Sequence, residues 1–159
     1  MRKPIPSILR AAGALLATLF VAFAVSSASA QVATDRSVGV FFTGANEEGA
    51  HEATTQWTPI SRVIRREADI RVADDALMEA AAGKKMTPQE AAAALKVRFV
   101  LTGAITAGSH AFKFELKLFD GKDGKELWAA TFLSDEDNIG TVPTEISGQL
   151  VPRLKAAAL

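Results

Sequence analysis

The chain has 159 residues, with 18 basic and 18 acidic side chains and no cysteine. A balanced charge offers nothing that would draw the chain to nucleic acid or to an anionic membrane surface. Without cysteine no disulfide framework is available, so the fold must rest on an apolar core.

Residues 1–30 begin with Arg2, Lys3 and Arg10 around the start of an apolar run, Ala11 to Val25, and end in the small residues Ala28-Ser29-Ala30. This three-part pattern predicts a secretory signal peptide cut between Ala30 and Gln31. The apolar run is shorter than the roughly 20 residues of a spanning helix, so no stable membrane span is expected after cleavage. No cysteine follows the run, which argues against a lipid-anchored form. Residues 31–159 suffice for one domain, and they carry 15 basic and 18 acidic side chains, a net charge of −3 once the three basic residues of the signal are removed.

Ser37 to Phe42 is a short apolar run of the kind that forms a buried strand. Thr43 to His51 reads as a long, exposed, glycine-containing loop. Trp57, Ile60, Val63 and Ile64 then recur at three- and four-residue spacing, which predicts an amphipathic helix over 53–68 with Arg62, Arg65 and Arg66 toward water. Pro59 fits its first turn if the helix begins near Thr55 or Gln56. Ile70 to Val72 reads as a second strand. Asp74 and Asp75 are candidate caps for a helix over 76–82 that Gly83 would end. Thr87-Pro88-Gln89-Glu90 combines a threonine cap, a proline at the first helical position and a glutamate that reaches back, so a helix should run to about Lys96.

Three strands follow in 98–133, joined by turn-rich interruptions, and the central one alternates Phe112, Phe114, Leu116 and Leu118 with Lys113, Glu115 and Lys117. A last helix starts at Thr141, with Pro143 in its first turn and a stripe of Val142, Ile146, Leu150 and Leu154; Pro152 predicts a kink or break near 148–152. The expected fold class is α/β (α+β): a single mixed sheet containing a three-strand antiparallel meander, with helices packed on it.

Chemistry is hard to place. His51 and His110 are the only histidines and no H-E-x-x-H pair exists, so no metal site is expected. Asp120-Gly121-Lys122-Asp123-Gly124 has hairpin-turn chemistry and lacks the alternating ligands of a calcium loop. No activated nucleophile or acid–base pair is visible, and neither catalytic residues nor a cofactor are expected. Two surfaces remain. The third meander strand is apolar on both faces, with Trp128, Ala130 and Phe132 on one and Leu127, Ala129, Thr131 and Leu133 on the other. It is either buried on both faces or awaits a partner, which makes Leu127, Thr131 and Leu133, together with the basic Arg62, Arg65 and Arg66, candidate partner contacts. The segment after the first strand offers Asn46, Glu47 and His51 as candidate ligand contacts.

Leu95-Lys96-Val97, Phe99 to Gly103, Leu118-Phe119-Asp120 and Asp123-Gly124-Lys125-Glu126-Leu127-Trp128 occur in an order and spacing that resembles the TolB amino-terminal-like domain family. That family includes FlgO-type proteins and domains found beside tetratricopeptide repeats. Lys96 stands where its members usually carry glycine. The resemblance implies a periplasmic, non-enzymatic α/β domain that contacts other envelope proteins. The identity of the partner and the oligomeric state do not follow from it. A small-ligand or envelope-polymer binder using the segment after the first strand is the alternative.

Overall fold

The computed structural model describes residues 35–67, 69–82 and 84–158. The expected signal peptide and its Ala30/Gln31 junction lie outside the described residues, as does Gly83. The elements are β1 (Ser37–Gly44), α1 (Glu47–Arg65), β2 (Arg71–Val72), α2 (Asp75–Ala81), α3 (Pro88–Leu95), β3 (Phe99–Ala107), β4 (Ala111–Asp120), β5 (Glu126–Asp135) and α4 (Val142–Ala157), with a short 3-10 turn at Ile139–Thr141. The sheet order is β2-β1-β3-β4-β5. β1 runs parallel to β2 and β3, and the β3-β4-β5 meander is antiparallel. The mixed sheet with packed helices is therefore as the sequence predicts.

Register decides which side chains share a face. Val40, Leu101, Leu118 and Trp128 align across the sheet, as do Phe42, Gly103, Leu116 and Ala130. On this face Phe99, Leu101, Ile105, Phe114, Leu116 and Leu118 are fully buried beneath α1 and α4, whose Ile60, Ile64, Ile146, Leu150 and Leu154 are also buried. Complete burial of such side chains contributes roughly 1.5–3 kcal/mol each, so this layer supplies most of the driving force. On the opposite face only α3 packs: Leu95 lies against Gly39, and Val100 is fully buried. α2 closes the rim of β1, where the Val40 N–H points at the Met78 sulfur, 3.3 Å away.

Three family-like motifs have structural work to do. Lys96 adopts the left-handed conformation, φ 54°, while its N–H and that of Val97 return to Ala93 and Ala92, closing α3 in the manner of a Schellman cap. Gly103 lies under the Phe42 ring, where a Cβ would meet ring carbons at 2.1 Å. Asp120 ends β4 in a two-pronged pair with Arg98, at 3.0 and 2.6 Å, and also accepts the Lys122 N–H.

The structure corrects two expectations. α1 begins at Glu47, so 47–51 are helical and the long loop does not form; Pro59 sits inside the helix. The reason is Asn46, whose side-chain oxygen accepts the N–H of Gly49 at 2.9 Å and so caps a helix start far ahead of the apolar stripe. α4 runs without a break through Pro152. Pro152 and Gly148, whose carbonyl loses its partner, are both exposed, so water can satisfy that group.

Candidate protein-contact surface

Leu127, Thr131 and Leu133 lie on β5, one rim of the sheet. Thr131 stands opposite Glu115 and Leu133 opposite Lys113, on the sheet face that α1 and α4 leave uncovered. Leu127 falls in a bulge, between the residues that oppose Leu118 and Phe119. Leu133 is 77% exposed, and Leu77, at 42%, is the only other exposed large apolar side chain among the described residues. Ala129 and Thr131 are also exposed, whereas Trp128 and Phe132 turn toward α4, their rings 6.5 Å apart. β5 is therefore not buried on both faces: one face is packed and the other is open.

The open face is a striped surface. β4 supplies alternating charges, with Lys113 bridged to Glu115 at 2.9 Å and Lys117 to Glu126 at 2.9 Å. β5 supplies the apolar stripe beside it. Toward β1 the same face drops into a groove of about 620 Å³ between the sheet and the α2–α3 connection. Phe41, Val100, Thr102 and Phe119 form its sheet wall, Met86 and Ala91 the other, and the exposed Lys84 and Lys85 its basic rim. The sequence held a signal for this groove that periodicity alone passed over. Phe119 falls at the position where Lys113, Glu115 and Lys117 lead one to expect another polar residue.

The remaining candidates lie elsewhere. Arg62 on α1 and Arg66 just past its end are exposed, and α1 packs on the opposite side of the sheet from Leu133. Arg65 pairs with the Asp75 carboxylate and donates to the Ala73 carbonyl at 2.9 Å, which ties α1 to the start of α2. Hydrogen bonding to Arg65 holds the Asp75 carboxyl below its ordinary range and raises the guanidinium in turn. The three arginines therefore do not adjoin the β5 stripe. Asn46 is fully engaged: its amide donates to the Ala107 carbonyl at 2.6 Å, and its oxygen accepts from Gly49 and from the Ala107 N–H at 3.2 Å. Glu47 and His51 are exposed on the first turns of α1, beside a shallow hollow they share with Glu48, Glu52 and Glu136.

Among the described residues no group of three or more histidine, aspartate or glutamate side chains is placed to hold a metal ion. No described helix is long and apolar enough to cross a membrane. Burial would raise the Asp120 carboxyl, but the Arg98 hydrogen bonds and the Lys122 N–H outweigh it and bring the group below its ordinary value. Glu90 is lowered by the Thr87 N–H and hydroxyl that complete the α3 capping box.

No family model matches the chain, and no curated protein matches it. Solved structures do. TolB from Acinetobacter baumannii superposes with a TM-score of 0.56 at 16% identity over 76% of this chain, which spans only 28% of the length of that protein. The PelC dodecamer subunit from Paraburkholderia phytofirmans gives a TM-score of 0.52 at 18% identity, covering 78% of this chain and 89% of that one. LpoB from Escherichia coli aligns at a TM-score of 0.49 and 12% identity. At these identities the likeness to TolB and PelC establishes a shared fold, a mixed five-stranded sheet with helices on it.

Proposed function

We propose that the protein is an exported, periplasmic, non-enzymatic domain that acts by contact with another protein of the bacterial cell envelope, and that the partner docks on the open sheet face at Leu127, Thr131 and Leu133. The observation that carries this reading is Leu133, 77% exposed in an apolar stripe on a sheet face with no covering element. A contiguous apolar stripe left open on a rigid sheet face gains free energy when a partner covers it. The charged stripe of β4 supplies the polar rim that such contact patches carry. The signal-peptide pattern of residues 1–30 and the fold shared with TolB support an envelope location. Arg62 and Arg66, on the other side, suit a separate acidic surface.

Co-purification tests the reading. Chain expressed in its own host with Leu133→Lys should keep the wild-type unfolding temperature and lose the envelope protein that copurifies with the wild type. Retention of that protein by the variant contradicts the reading.

A second reading, a small-ligand or envelope-polymer binder, draws support from the groove. Its apolar walls and the Lys84 and Lys85 rim suit an amphiphilic anion, which shifts the ligand role away from Asn46, Glu47 and His51. Met86→Trp should then abolish retention of such a ligand while sparing the partner complex.

A further inference from the structure

We propose that the groove between the sheet and the α2–α3 connection holds one long-chain fatty acid, its tail laid between Phe41 and Phe119 on the sheet and Met86 opposite, its carboxylate at Lys84 and Lys85. This rests on the second reading, a small-ligand binder, and narrows its amphiphilic anion to a single-chain carboxylate.

The sheet register makes the trough. Gly39, Val100 and Phe119 form one row of the open face, and Phe41 and Thr102 belong to the next. Leu95 fills the space above Gly39, so α3 closes that end. Val100 is fully buried at the floor, while Phe41, Phe119 and Met86 stay half-buried around it. An apolar chain laid there removes those three side chains further from water, which favours binding. The volume, about 620 Å³, lies within the range of small-molecule pockets. Next to Thr102 across the face stands Lys117, bridged to Glu126 at 2.9 Å. The apolar surface therefore ends after one trough, with no bed for the second chain of a diacyl lipid.

The mouth selects the head group. Lys84, Lys85 and Glu90 are the charged residues lining the groove, two cations against one carboxylate, and a monoanion neutralises the excess. The lysine ion pairs among the described residues belong to Lys113, Lys117 and Lys155, so Lys84 and Lys85 have none. Glu90 is committed elsewhere, accepting the Thr87 N–H at 2.8 Å and its hydroxyl at 3.0 Å. A phosphate would draw on free backbone N–H groups at the start of α3. Those are largely spent: Pro88 has none, Thr87 and Glu90 use theirs in the capping box, and Ala91 donates to the Thr87 carbonyl. Two flexible point charges over an apolar trough suit a carboxylate on a hydrocarbon chain.

The test uses the full chain, expressed with its own leader, stripped of lipid and titrated with the fluorescent fatty acid cis-parinarate. Binding should saturate, and palmitate should displace the probe better than hexadecanol or hexadecyl phosphate does. Lys84→Ala combined with Lys85→Ala should weaken palmitate roughly tenfold and leave hexadecanol unchanged. Both lysines are exposed, so the urea midpoint of that variant should match wild type. Met86→Trp should abolish binding of both. Displacement by hexadecyl phosphate or by a diacyl phosphatidylglycerol that exceeds palmitate overturns the fatty-acid assignment and leaves the second reading standing. So does a double-lysine variant that binds palmitate as wild type does. Failure of all these amphiphiles to bind removes the reading and the assignment together.

Discussion

At the scale of single residues, positions that looked like motifs turn out to hold the fold. Lys96 bears a side chain where the backbone is left-handed, a conformation glycine adopts without steric cost. Lys96→Gly should therefore stabilise the protein by about 0.5–1 kcal/mol, read as a rise in the urea midpoint. Asp120 is the other informative position. Its carboxyl is depressed below its ordinary value of 3.8, so the stability it contributes is present above that pH and lost as pH falls through the lower folded value. Asp120→Asn should cost about 1–3 kcal/mol near neutral pH and flatten the loss of stability below pH ~4. A variant with the same acid limb as wild type would contradict the Arg98 pairing as its source. The sequence showed that Lys96 and Asp120 occupied marked positions. It did not show why, because Arg98 and Asp120 meet only when β3 and β4 pair.

At the scale of elements, the meander and α3 were the most legible, since each carries a local signal: alternation in β4, a capping box at Thr87. α1 was legible only in its second half. Its first two turns pack through Gly49 and Ala53, residues too small to register as an apolar stripe, and Pro59 suggested a start that Asn46 pre-empts. That arrangement leaves a testable cost. Pro59 lacks the N–H that would bond the Thr55 carbonyl, so Pro59→Ala should stabilise α1 by about 1–3 kcal/mol, with the denaturant slope unchanged. No gain, or a loss, would mean that the ring's packing outweighs the missing hydrogen bond. Asn46→Ala should cost about 1–2 kcal/mol by uncapping the helix, and hydrogen exchange should show the loss concentrated at residues 47–50.

At the scale of the whole molecule, helices cover most of one face of the sheet, and the other only over β1, the start of β3 and the end of β4. Local sequence could not reveal this. The apolar residues on both faces of β5 were plain to read, but whether a helix lay over them depended on where α3 docked, a long-range outcome. The groove escaped notice for the same reason, since its walls come from β1, β3, β4 and the α2–α3 connection. With no cysteine and no metal-competent cluster among the described residues, thermal unfolding should be unchanged by chelator or reductant. The measurement that bears most directly on the open face is photocrosslinking in living cells, with a photoreactive residue at Leu133 and, on separate chains, at Arg62 on the opposite side. The expected result is one discrete adduct with a different envelope protein from Leu133, absent from Arg62. Capture from Arg62 alone, or from Leu133 only of a second copy of the same chain, would contradict a partner site on the open face.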